Sequence, residues 1–171
     1  MDISGLMQGT LAGSGHDMIG SMSTSDPIHD VLDRWHQHLR GDLPGGLDAL
    51  LHEDCIFYSP VVFSPQRGRE ISKLYLSAAA NVLPGDEAAA QPVTSEDEHG
   101  KFRYTKKIAD GHHAMLEFET MVGEVSVNGV DIITCDDDGW IIEFKVMMRP
   151  YKALDAVRDQ MAAMMQKLSA G

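Results

Sequence analysis

At 171 residues the chain is sized for one domain, and with 43% apolar and 23% charged side chains it can bury a real core. Its 14 basic against 26 acidic residues give a formal charge of −12, which argues against nucleic acid and anionic membrane surfaces as partners, since both are engaged through basic side chains. No apolar run reaches the roughly 18 residues a membrane-spanning helix needs, and no Lys or Arg accompanies Asp2 in the signal-peptide position. Two lone cysteines, Cys55 and Cys135, suit a reducing compartment, so a cytoplasmic protein is expected.

Residues 1–25 contain five Gly and five Ser and read as a flexible leader, with Met18 or Met22 as alternative starts. A single domain is expected over residues 26–168. Ser25-Asp26-Pro27 predicts a helix start with an oxygen cap, and Ile28, Val31, Leu32, Trp35 and Leu39 then form one apolar stripe. Gly41 can end that helix. A short helix is expected around Leu47, Leu50 and Leu51, a strand over Cys55–Ser59, and a loop over Val61–Arg67. A third helix is expected near Arg69–Leu83, followed by a loop over Pro84–Gln91.

The period then changes to two. Phe102, Tyr104 and Ile108 alternate with polar residues, as do Ala114, Leu116 and Phe118. Val125, Val127 and Ile133 follow, then Trp140, Ile142, Phe144 and Val146. Breaks at Asp110-Gly111, near Gly123 and at Asp136–Gly139 predict an antiparallel meander. After Pro150 a last helix carries Leu154, Val157, Met161, Met164 and Leu168 as a seam, able to dock on the protein's own sheet or on a partner. Segregated helices and strands define an α+β fold.

Several stretches together carry a resemblance. Val31–Leu51 reads VLDRWHQHLRGDLPGGLDALL. Glu53–Pro60 and Gly68–Ile71 follow, and later Gly129-Val130-Asp131, Asp138–Ile141 and Val146–Pro150. Residues 26–152 resemble the superfamily of nuclear transport factor two, ketosteroid isomerase, scytalone dehydratase and SnoaL-type cyclases. The resemblance implies a cone-shaped curved antiparallel sheet wrapped by N-terminal helices, a pocket between them, and commonly a homodimer through the sheet. The fold hosts enzymes, ligand binders and protein-binding modules alike. In the isomerase branch it implies a basic Asp after the first strand, a Tyr on the first helix and a protonated Asp on a late strand. Asp131 stands at the last of these. Ser59 stands at the base position and Trp35 near the Tyr position, so two of the three groups differ.

The residues themselves offer candidates. Alternation puts Asp131 on the face of Val127 and Ile133, where a carboxylate must be protonated or paired: a pocket acid, or a partner of a neighbouring Lys or Arg. Tyr58 and His38 are the candidate proton-transfer partners. Trp35, Ser59 and Tyr75 are candidate ligand contacts, the two aromatics having core packing as the plainer role. Glu119 lines a pocket or a solvated face, and Arg149 binds an anion or completes an ion pair. His36 and His38 diverge on their helix, His112 and His113 point to opposite faces, and Asp136–Asp138 lacks the spacing of a calcium loop. No metal site and no cofactor are expected. The leading expectation is a pocket for a small hydrophobic carbonyl compound, with isomerase, cyclase or dehydratase chemistry. The alternatives are a non-catalytic ligand-binding or dimeric interaction module, and carboxylate-pair chemistry from Glu117, Glu119 and Asp131.

Overall fold

The computed structural model describes residues 26–83 and 101–169; the expected leader and the Pro84–Gln91 loop lie outside them. The first helix, α1 (Pro27–Leu39), buries Ile28, Val31, Leu32 and Trp35 on one face. Each fully buried aliphatic of this kind contributes about 1.5–3 kcal/mol. Pro27 opens the helix as expected, but the Asp26 side chain does not cap it. Its Oδ2 instead accepts from the Gly111 N–H at 3.1 Å, tying the helix start to a hairpin turn 85 residues away.

The helix expected near Leu47 is a single 3₁₀ turn, Gly46–Ala49. Gly45 and Gly46 both have positive φ, which shortens it. Leu51, expected in that helix, already begins strand β1 (Leu51–Tyr58). A two-residue strand, β2 (Gln66–Arg67), lies in the segment expected as loop and pairs antiparallel with β1. Helix α2 (Arg69–Val82) follows. Strands β3 (Arg103–Asp110), β4 (His113–Val122), β5 (Val125–Cys135) and β6 (Ile141–Arg149) form the meander, and helix α3 (Tyr151–Ser169) ends the described chain.

The six strands form one curved, open sheet in the order β2-β1-β6-β5-β4-β3. The fold is α+β, as expected, with one refinement. β1 and β6 run parallel, so the sheet is mixed. A parallel pair needs a crossover, and here α2 and the meander supply it.

Strand alternation decides which side chains face the helices. On β4 the inward set is Ala114, Leu116, Phe118, Thr120 and Val122; on β5 it is Val127, Gly129, Asp131, Ile133 and Cys135. On β6 the expected Trp140–Ile142–Phe144–Val146 face is broken. Cys135 pairs with Ile141 but Thr134 pairs with Glu143, so Ile142 is an extra residue. This β-bulge flips the alternation: Ile141 is fully buried with Phe144 and Val146, while Ile142 is 36% exposed.

The three α-helices among the described residues cover the inward face. On α3, Val157 and Met161 of the expected seam are buried in the same core and dock on the protein itself, while Ala153 is buried there in place of the half-buried Leu154. The side chains of Met164 and Leu168 lie outside the described residues. The outward face carries ion pairs: Arg103–Glu119 at 2.8 Å, Lys145–Glu143 at 3.0 Å and Lys106–Glu117 at 3.5 Å. Such pairs contribute little stability in water. Both cysteines are buried free thiols. Among the described residues no helix is long and apolar enough to cross a membrane.

Candidate functional site

Between the sheet and the helices lies a cavity of about 240 Å³. Its walls are apolar, among them Phe57, Leu76, Phe118, Phe144, Val157 and Met161. The Phe118 wall is accommodated against β5 by Gly129. A Cβ there would lie 2.3 Å from Phe118 Cζ, so only glycine lets the Phe118 ring cross over β5. Into this apolar space project five side chains with polar atoms: Trp35, His38, Ser59, Tyr104 and Asp131.

Three of them form a directed chain. Trp35 on α1 donates its Nε1–H to the Tyr104 hydroxyl at 3.0 Å. Indole is a donor only, so the Tyr104 oxygen must accept. The Tyr104 O–H is thereby turned toward Asp131 and donates to its Oδ2 at 2.6 Å. Asp131 is 6% exposed. Its other oxygen makes no hydrogen bond among the described residues. Among those residues no Lys or Arg lines the cavity.

Burial pushes the Asp131 carboxyl up to about 7, while the hydrogen bond from Tyr104 pulls it the other way. Tyr104 is held well above the usual phenol range, first by burial, then by the Asp131 charge and their shared hydrogen bond. Below neutrality Asp131 is thus a neutral carboxylic acid whose proton sits on the oxygen left free by Tyr104. That O–H can donate to an acceptor in the cavity. Tyr104 itself cannot do so without releasing Asp131.

His38 also lines the cavity. Its ring lies 5.6 Å from that of Trp35, and burial lowers its pKa below the ordinary histidine value, so the imidazole is neutral at pH 7. No hydrogen bond engages it among the described residues. Ser59 lines the cavity too, but its Oγ already accepts from the N–H groups of Val61 and Val62 at 3.2 and 3.3 Å.

Four other candidates lie elsewhere. On β1, Cys55 and Phe57 point inward, so Tyr58 must point outward; its ring lies 4.5 Å from Lys145 Nζ. Tyr75 stands behind the cavity wall, its ring centroid 5.3 Å from that of Phe57. Glu119 and Arg149 are on the outward face, paired with Arg103 and with Asn128. The carboxylate trio of Glu117, Glu119 and Asp131 is therefore split across the sheet. Sequence reasoning does not single out Tyr104. Its signal is nonetheless present: a tyrosine on the inward alternation of β3, in register with Phe118. Among the described residues no three His, Cys, Asp or Glu side chains gather as metal ligands would.

No protein-family profile matches the chain, and no curated protein matches it. Solved structures do. A steroid delta-isomerase from Pseudomonas aeruginosa is 30% identical with a TM-score of 0.71, over 85% of this chain and 96% of that one. This chain belongs to the nuclear transport factor two/ketosteroid isomerase/SnoaL-like superfamily. A cystatin-like-fold protein from Silicibacter pomeroyi is 33% identical over 80% of this chain and 86% of its own, with a TM-score of 0.64. An NTF2-like protein of unknown function from Mesorhizobium loti shares the fold at 20% identity and a TM-score of 0.54, over 72% of this chain and 92% of that one. Within the superfamily's fold, this chain presents a Trp–Tyr–Asp chain in the cavity.

Proposed function

We propose that the cavity takes a small, uncharged, hydrophobic carbonyl compound and that the chain moves a proton on it, as an isomerase, cyclase or dehydratase does. The observation that carries this reading is the Tyr104–Asp131 hydrogen bond of 2.6 Å in a largely apolar cavity. An ionised ligand group would meet no counter-charge among the described lining residues, whereas a carbonyl oxygen would accept from the free Asp131 O–H. As the carbon next to that carbonyl loses its proton, charge builds on the oxygen. A neutral carboxylic acid in a dry site then donates more strongly than it did to the ground state. Neutral His38 lines the same cavity, its imidazole has no hydrogen-bond partner among the described residues, and it takes the role of base. No cofactor enters this scheme.

Similarity to a protein described as a steroid delta-isomerase supports a hydrophobic enone as the first compound to test. Thermal shift with steroids, aromatic ketones and polyketide-like compounds, followed by turnover of each compound that binds, tests the reading. A specific shift with turnover lost in Asp131→Asn supports it. A shift without turnover leaves the second reading, a non-catalytic binder, which is favoured by Asp131 being the one carboxylate among the described lining residues. No shift with any compound removes both. We also propose a homodimer through the outward sheet face, where Met147 and Ile108 are 56% and 55% exposed.

A further inference from the structure

On the outward face, where β3 begins and β6 ends, a second depression gathers Lys101, Arg103 and Arg149 with Glu119, the one carboxylate among its described lining residues. Three cations in one place are unusual on a chain whose 26 acidic residues outnumber its 14 basic ones. The sheet register creates this grouping. Arg103 pairs with Glu119, Glu119 with Asn128, and Asn128 with Arg149, so four side chains stand in one cross-strand row on one face.

The row is also internally ordered. Arg103 Nη2 donates to Glu119 Oε2 at 2.8 Å. The Asn128 amide donates to Glu117 Oε1 at 3.1 Å and to the Phe118 carbonyl at 3.2 Å, which turns its oxygen toward Arg149. Arg149 Nε donates to that oxygen at 2.7 Å. The Nη donors of Arg149 make no hydrogen bond or ion pair among the described residues. A guanidinium anchored through Nε, with its outer edge open, presents the planar fork that matches two oxygens of a carboxylate or phosphate.

We propose that this row is a binding site for a small oxyanion, a phosphate or carboxylate group, seated on the Arg149 Nη donors with Arg103 supplying further positive charge. It lies across the sheet from Asp131, because Asn128 and Arg149 point outward where Phe118 and Asp131 point inward. The proposal therefore stands independently of what the cavity binds.

The test is titration of the ¹⁵N-labelled full chain with inorganic phosphate, and separately with acetate, replacing chloride at constant ionic strength. The expected result is saturable shifts centred on residues 103, 119, 128 and 149. Affinity should fall at least tenfold in Arg149→Gln and clearly in Arg103→Gln. Lys107→Gln should leave it unchanged, since Lys107 pairs with inward-facing Leu116. Saturation with phosphate, with acetate or with both supports the site and names its anion. Scattered or non-saturating shifts that persist in both arginine variants would overturn it. So would loss of a dimer in native mass spectrometry of Arg149→Gln when the wild type shows no saturable anion response; the row would then be a contact between copies.

Discussion

Replacing Asp131 by asparagine removes one titration and keeps the shape. In the folded chain burial raises the Asp131 carboxyl from 3.8 to about 7. Between those values the unfolded chain has released the proton and the folded chain still holds it. The folded state therefore binds more protons, and stability from this group falls as pH rises, being fully present only below about pH 4. Integrated over the whole window, a shift of this size corresponds to about 4 kcal/mol. Between pH 5 and pH 8 the share is about 2–3 kcal/mol. The side-chain amide of Asp131→Asn would still accept the Tyr104 hydrogen bond but would not titrate. Urea unfolding of both proteins at several pH values reads the difference directly. Wild type should lose about 2–3 kcal/mol more than Asp131→Asn between pH 5 and pH 8, and the variant should be the more stable at pH 8. Parallel profiles would mean that Asp131 ionises in the folded chain as it does in water, and the neutral-acid reading would go with them.

Tyr104→Phe should cost about 1–2 kcal/mol and raise the Asp131 midpoint further, since Tyr104 now holds it down; unfolding and carboxyl titration check both. Gly129→Ala should destabilise by about 1–3 kcal/mol and weaken ligand binding, because a Cβ there meets Phe118 at 2.3 Å; denaturation alongside a thermal-shift titration would show it. His38→Gln should reduce kcat by about 10² or more with little change in ligand affinity if His38 is the base; an unchanged kcat assigns the proton elsewhere. Truncation after Pro150 removes buried Ala153, Val157 and Met161 and should abolish cooperative unfolding; a truncated chain of undiminished stability would make α3 an element for a partner instead.

Much of the fold is legible in the sequence because it rests on local signals. The Ile28–Trp35 stripe, Pro27 and the turn residues at Gly111 and Gly139 act within a few residues of themselves. What is not legible depends on partners distant in sequence. The parallel pairing of β1 with β6 joins residues such as Tyr58 and Lys145, and no local period encodes it. The bulge at Ile142 breaks an alternation that looks continuous, because only the register against Cys135 and Thr134 reveals the extra residue. Within the site, the alternation of β5 alone places Asp131 on the apolar face. Tyr58 is a candidate proton-transfer partner in the sequence, although the same period-two rule, anchored on Phe57, turns it outward. Tyr104 lies on a recognisable alternation, but its bond to Asp131 spans 27 residues, and it emerges only when β3, β4 and β5 stand side by side.

Whether Asp131 is a neutral acid that a ligand engages is read by a carbon-13 titration of its carboxyl, assigned by Asp131→Asn, with and without an enone that binds the cavity. A ligand that accepts from the neutral acid binds the protonated form and must raise the midpoint. The midpoint should lie near 7 in the free protein and move higher on ligand binding. A midpoint in the ordinary carboxylate range, unmoved by any cavity ligand, would contradict the neutral-acid reading.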